Sequence, residues 1–290
     1  MLKYKTRIGK TYIYFSALIS VVIFILIVGV ISVNSWDAIS TQGWHLFTTK
    51  WHPPTNNYGI LPMLYGTFTV TFLALIIAVP LGLLTAIYTS EFLPKKFRFI
   101  VKSLLELLAG IPSIVYGLIG IAFFSGWIQS AFDLATGRTL LAAGILLAIM
   151  VIPTIITLTD DALQAVPFKY KEAATGLGFY RFEVIKEVLL PLAKSDIVGA
   201  ILLALGRALG ETMAVMLVIG GIDKMPSPFY NILSSGQTIT SKLGREIAET
   251  SFGSVHFSVL LFMGLILLVI VLVFTIIAQN QFKQNDRLYE

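Results

Sequence analysis

Six apolar runs, each close to or longer than 20 residues, divide this 290-residue chain, and they restrict its fold more than any other feature. About 20 consecutive apolar residues cross the hydrocarbon core of a bilayer as a helix, and only helices or closed barrels satisfy every backbone polar group there. The runs lie at about 12–33, 64–89, 104–125, 140–158, 197–220 and 257–279. Charged residues make up 13% of the chain, against about 25% in soluble domains. The expected fold is an all-α membrane protein with six transmembrane helices, forming a single membrane domain over 1–290.

Charge sets the expected orientation. Lys3, Lys5, Arg7 and Lys10 precede the first run; Lys95, Lys96, Arg98 and Lys102 follow the second; Lys169, Lys171, Arg181, Lys186 and Lys194 follow the fourth; Lys283 and Arg287 follow the sixth. The opposite side carries Lys50, Arg138, Lys224, Lys242 and Arg245. The positive-inside rule therefore puts both termini in the cytoplasm. The net charge of +5 is split among short loops, so it reports topology and gives no support for nucleic-acid binding. The first run is longer than the 7–15 residues of a signal-peptide core, which favours a retained anchor. The chain has no cysteine, and His45, His52 and His256 are scattered over the predicted outer side, so no metal site is expected.

The loop at 159–196 is mixed in charge. Helix formers surround Lys169 to Thr175, glycines follow at 176 and 178, and a second helical stretch from Arg181 is expected to end near Pro191. Two short helices joined at glycine, which tolerates tight turns, make a knob able to lie against another protein. The outer loop at 221–256 is expected to include a short surface helix, and aromatic residues in 34–63 suit either an interface anchor or a partner surface. Pro80, Pro112 and Pro153 fall inside predicted spans, where each removes a backbone donor and kinks a helix.

The fifth run contains two charges, Arg207 and Glu211. Arg207 lies ten residues from the predicted inner edge of that run. At 1.5 Å per residue this is roughly 15 Å deep, where an arginine costs about 2.5–3.5 kcal/mol on insertion scales. Glu211, four residues on, would share its face, with Thr212 adjoining. The pair reads either as a structural salt bridge or as an anion site in which the arginine fork meets a tetrahedral oxyanion. Physics does not choose phosphate over sulfate. Gly206 and Gly210 allow a helix to come close.

The loop resembles the EAA motif of permease subunits of ABC importers. The matching residues are Glu172-Ala173-Ala174, then Gly178, Val188 and Leu190-Pro191 at the family spacing. The resemblance implies a type I ABC importer permease fold in a bacterial or archaeal cytoplasmic membrane. In it Glu172 anchors the loop in a cleft of a separate ATPase, Ala173 and Ala174 permit close approach, and 159–196 is the cytoplasmic coupling loop. ATP and Mg would be bound by that partner, with no cofactor in this chain. Gly9-Lys10-Thr11 mimics the end of a phosphate-binding loop, but Tyr4 stands where its first glycine belongs.

The run Gly206-Arg207-Ala208-Leu209-Gly210-Glu211-Thr212-Met213-Ala214-Val215 is similar to the corresponding span of phosphate-specific ABC importer permeases, in its PstC form more than its PstA form. Ala109-Gly110-Ile111-Pro112-Ser113-Ile114-Val115-Tyr116-Gly117 and Tyr58-Gly59-Ile60-Leu61-Pro62 agree with it. This resemblance implies inorganic phosphate as cargo, with Arg207, Glu211, Thr212, Ser113 and Tyr116 along the path. It also implies a second permease (PstA type), an ATPase dimer (PstB type) and an extracytoplasmic phosphate-binding protein (PstS type), all meeting this chain in membrane lipid. A permease for sulfate or molybdate is the alternative. An intramembrane hydrolase fits poorly, because no histidine lies within a span.

Overall fold

A computed structural model of the chain describes the backbone of residues 2–286 and the side chains of residue 10 and of residues 12–276. Ten helices carry the architecture among these residues: α1 (Leu2–Gln42), α2 (Leu61–Glu91), α3 (Lys95–Ala109), α4 (Ser113–Ala131), α5 (Leu140–Ala165), α6 (Phe168–Gly176), α7 (Arg181–Gly210), α8 (Met213–Val218), α9 (Ile239–Glu246) and α10 (Val255–Asp286). Six of the ten are long and apolar enough to cross a membrane: α1, α2, α4, α5, α7 and α10. The end that carries α3 and α6, expected to be cytoplasmic, is the inner end; the end that carries α9 is the outer end. The basic residues that flank the first and sixth apolar runs lie largely outside the described side chains.

α2 and α5 form the centre. Gly66, Val70, Ala74, Ala78, Gly82 and Ala86 recur every four residues along the buried face of α2. This small-residue row lets the two backbones approach closely, and a Cβ at Gly82 would collide with Ile155 of α5. Val70, Ala74 and Ala78 pack against Leu140, Leu147, Val151 and Ile155, with Ala204 and Ala208 of α7 closing the cluster. α1 lies outside this core with its apolar side chains exposed, touching chiefly α10.

Four sequence expectations change. The third span starts at Ser113, not near 104. Residues 95–109 form the separate helix α3, whose basic residues face one way and whose Phe99, Leu104 and Leu107 are exposed, the pattern of an interfacial helix. The reason is Pro112: a residue before proline is pushed out of the helical region, so the chain breaks at Gly110–Pro112, and Pro112 (ψ 137°) caps α4 rather than kinking it.

The second helix of the inner loop does not end at Pro191. It runs on as one 30-residue helix, α7, into the fifth span. Pro191 has no N–H, and its ring crowds the carbonyl one turn back. A widened π turn at Val184–Leu189 directly precedes it, a known way to absorb such an insult without ending a helix.

The fifth span itself is interrupted. α7 stops at Gly210, Glu211 is extended (φ −67°, ψ 125°), and α8 begins at Met213.

The helix of the outer loop, α9, is half-sunk: its first half is buried, while Gly244 and Arg245 are exposed. Ile239, Thr240, Ser241 and Lys242 are buried. Beside it a two-residue antiparallel ladder, β1 (Trp51–His52) and β2 (Asn57–Tyr58), folds the first outer loop over the bundle.

Candidate functional site

Arg207 ends α7 half-buried, and its Nη1 donates to Thr154 Oγ1 of α5 at 3.1 Å. The expected one-turn pairing with Glu211 is absent from the ion pairs among the described residues, because the helix breaks between the two. Glu211 Oε1 instead accepts the Ala214 N–H at 3.2 Å, covering a donor at the start of α8. A carboxylate at a helix start meets free N–H groups that have no partner inside the helix. The break therefore leaves the guanidinium with a neutral hydroxyl partner and its remaining donors unclaimed by acid, which suits reception of an anion better than a closed salt bridge would.

Thr212 Oγ1 donates to Gly210 O at 3.2 Å, and its methyl faces Gly244 of α9. Ser113 begins α4 and is half-buried. Tyr116 is placed differently from expectation. It is buried among Ile128, Ala142, Leu146, Met150, Ala214 and Val218, and its hydroxyl donates to Leu108 O at 2.8 Å. It stitches α3 to α4 across the Gly110–Pro112 break.

Gly206 and Gly210 do not receive another helix of this chain. They open onto an apolar groove of about 550 Å³ walled by Phe24 of α1 and Gly264, Leu267 and Val271 of α10. Inward of Arg207 and Thr154, a second cleft of about 470 Å³ runs between α5 and α7, lined by Leu158, Asp161, Asp196, Gly199 and Leu203. Leu158 and Leu203 each lie four residues inward of Thr154 and Arg207, one helical turn below the pair.

At the inner end the expected docking motif divides in two. Glu172 and Ala173 are exposed, whereas Ala174 is 6% exposed and packs with Leu163, Val166, Ile185, Leu189 and Ile197. Ala174 is small because it sits inside this chain's own core. Gly178 holds φ +90°, a conformation that side chains other than glycine resist; it turns α6 back towards α7. Leu190 and Pro191 are half-buried in the first turns of the transmembrane part of α7. Around the exposed motif stand Leu177, Tyr180 and Phe182, each at least 70% exposed. Such a patch on a polar knob marks an interaction surface. Its signal was present as apolar residues in a charged loop, but which of them faced out depended on the turn at Gly178. Thr154 had no comparable signal, being one hydroxyl in an apolar run.

The match to known proteins follows this geometry. The model of the binding-protein-dependent transport system inner membrane component family matches residues 78–284. The chain belongs to this family. It is 35% identical over 273 residues to the phosphate transport system permease protein PstC of Mesorhizobium japonicum, covering 87% of this chain and 82% of that one. With the protein of the same name from Pasteurella multocida it is 38% identical over 274 residues, covering 87% and 84%. A probable ABC transporter permease of Bacillus subtilis is 37% identical over 235 residues, covering 80% and 75%. Among solved structures, a bacterial alginate ABC transporter in complex with a pentasaccharide-bound periplasmic protein superposes with a TM-score of 0.64 at 17% identity, over 94% of both chains. The inward-facing MetNI methionine ABC transporter superposes with a TM-score of 0.57 at 19% identity, over 78% of this chain and 94% of that one. The fold is that of ABC importer permeases, and the chain is a multi-pass membrane protein.

Proposed function

We propose that this chain is the PstC-type permease subunit of an ATP-driven importer of inorganic phosphate, with both termini cytoplasmic and 1–290 acting as one membrane domain. The observation that carries the reading is Arg207: a half-buried guanidinium deep in a span, bonded to a neutral hydroxyl rather than to an acid. An intramembrane arginine is a functional candidate by default, and its planar fork matches phosphate oxygens. The relatives named for phosphate transport support phosphate over sulfate or molybdate.

The chain performs no covalent chemistry. A second permease of PstA type completes the path, an ATPase dimer of PstB type binds ATP and Mg, and an extracytoplasmic protein of PstS type delivers phosphate. Glu172 and Ala173, backed by Gly178 and surrounded by Leu177, Tyr180 and Phe182, form the surface that enters the ATPase. Leu190 and Pro191 carry its displacement into α7, whose far end holds Arg207. Phosphate passes Arg207 and Thr154 with Glu211, Thr212 and Ser113 nearby. Tyr116 supports this path from the core rather than lining it.

Replacing Arg207 with Gln lowers phosphate uptake into proteoliposomes by about 10²-fold or more while the assembled complex still purifies, the scale expected when a transported charge loses its one partner. Normal uptake in that variant would sink the anion site, and equal competition by sulfate would return the alternative oxyanion. Glu172→Lys is expected to lose the ATPase on co-purification; full retention of the ATPase would remove the docking surface.

A further inference from the structure

The inner loop grips the end of α2 at two consecutive residues. Lys171 of α6 donates to Glu91 Oε1 at 2.6 Å, and the Arg181 guanidinium at the start of α7 lies over the Phe92 ring, 4.5 Å from its centroid. Lys171 and Glu91 are both largely shielded, with 25% and 10% of their side-chain surface exposed, so this pair is held more firmly than a free surface pair. The two arms of the knob, one on each side of Gly178, thus hold the same short stretch of a third helix. Lys171 turns inwards while its neighbour Glu172 faces out.

α2 then runs 31 residues to the outer end, a span of roughly 46 Å. Its first turns are tied to the outer loop at three adjacent positions. Tyr65 OH donates to Phe229 O. Gly66 lies so close to the Gln237 backbone that a Cβ would overlap it. Thr67 Oγ1 accepts the Ile239 N–H at 2.9 Å. The same outer segment reaches the break beside the proposed anion site, because Thr240 Oγ1 donates to Glu211 O at 2.8 Å. A continuous set of contacts therefore joins the proposed ATPase surface to the outer cover of Arg207 and Glu211, by a route separate from α7. Between its ends α2 touches α5 through a row of small residues, a smooth face suited to the small sliding of packed helices.

We propose that α2 is a second transmission element: Lys171 and Arg181 position its inner end, so that movement of the docking knob shifts the outer segment 229–240 over Glu211 as α7 shifts Arg207. This rests on reading α6 as the ATPase-docking helix. Lys171 and Arg181 are positioning residues in it, touching neither phosphate nor nucleotide.

The test is a charge-swap cycle in the complete reconstituted importer, reading ATP hydrolysis, uptake of inorganic phosphate and co-purification of the ATPase. Lys171→Glu and Glu91→Lys are each expected to lower phosphate imported per ATP hydrolysed by about fivefold or more, within the range for residues that carry coupling, with the ATPase still bound. The double swap recovers most of the ratio. Wild-type ratios in both single variants would overturn the proposal, as would a double swap no better than either single. Loss of the ATPase from Lys171→Glu would overturn it too, since Lys171 would then be a docking contact. Should a charge reversal fail to reach the membrane, Lys171→Gln and Phe92→Leu take its place, and an unchanged ratio in both counts against the idea. Failure of the docking reading looks different: there Glu172→Lys keeps its ATPase.

Discussion

The inner and outer ends of this bundle both use buried or half-buried charge, and they use it in opposite ways. At the inner end the pairs are distributed and partly wet. Arg98 meets Asp160 at 2.8 Å, Lys102 meets Asp161 at 2.6 Å with both side chains at least one-third exposed, and Lys171 meets Glu91. Lys102–Asp161, the exposed one of the three, contributes about 0–1 kcal/mol. Arg98–Asp160 and Lys171–Glu91 are shielded and held more firmly, but no residue is shared between the three pairs, so loss of one leaves the others in place. At the outer end the charge is concentrated on one residue. Lys242, with 1% of its side chain exposed, places Nζ 2.6 Å from Asp223 and 2.5 Å from Glu246, over the Trp51 ring at 4.6 Å. His256 adds a contact to Glu246 at 2.9 Å. Removing one partner of a buried network leaves uncompensated charge and costs several kcal/mol. Charge at the inner end is spread over separate pairs, whereas the outer cover depends on one buried lysine.

The largest effect expected from that contrast is at Lys242. Lys242→Met leaves Asp223 and Glu246 facing each other and should destabilise the protein by about 3–5 kcal/mol, seen as a large fall in the melting temperature of the detergent-purified complex. A fall no greater than that of an inner-end variant would erase the distinction. Next is Gly66→Ala, whose methyl has no room against the Gln237 backbone; overpacking of this kind costs about 1–3 kcal/mol and should loosen protease protection of the outer loop first. Lys102→Ala should cost about 1 kcal/mol or less, with little change in melting temperature.

The smallest effect is pH dependence at the outer end. Burial raises the Asp223 carboxyl above its ordinary value, with the Lys242 hydrogen bond and charge opposing it. The folded protein therefore holds that proton to higher pH than the unfolded chain does, and stability falls as pH rises from the ordinary carboxylate value of 3.8 through the raised one. Melting curves over that window should show the slope in the parent chain and lose it in Asp223→Asn.

Much of the architecture was legible in the sequence, because bilayer thickness imposes one length on every span and charge asymmetry orders the loops. Six helices, the inner knob and a deep arginine follow from those two constraints and from a motif with fixed spacing. The errors are instructive. Pro112 and Pro191 look alike in sequence, yet one caps the start of a helix and the other sits within one. The difference lies in the turns beside them: a Gly110–Pro112 break in one case and a widened π turn in the other. The reading of Arg207 and Glu211 as neighbours on one face assumed an unbroken helix, and no residue pattern announces a break at Gly210-Glu211 as opposed to a small-residue helix contact.

Composition and span length by themselves determined that this chain crosses a membrane six times and carries a cation where hydrocarbon should exclude it. Tertiary structure alone decided what that cation touches and which residues of the knob face outward. It also decided that Lys242, one of five basic residues assigned to an outer surface, is buried. The physical reason is the same in each case. Hydrophobic length is a property of a segment read alone, whereas the partner of a polar group is set by the neighbour that packing brings to it, often a hundred residues away in the chain.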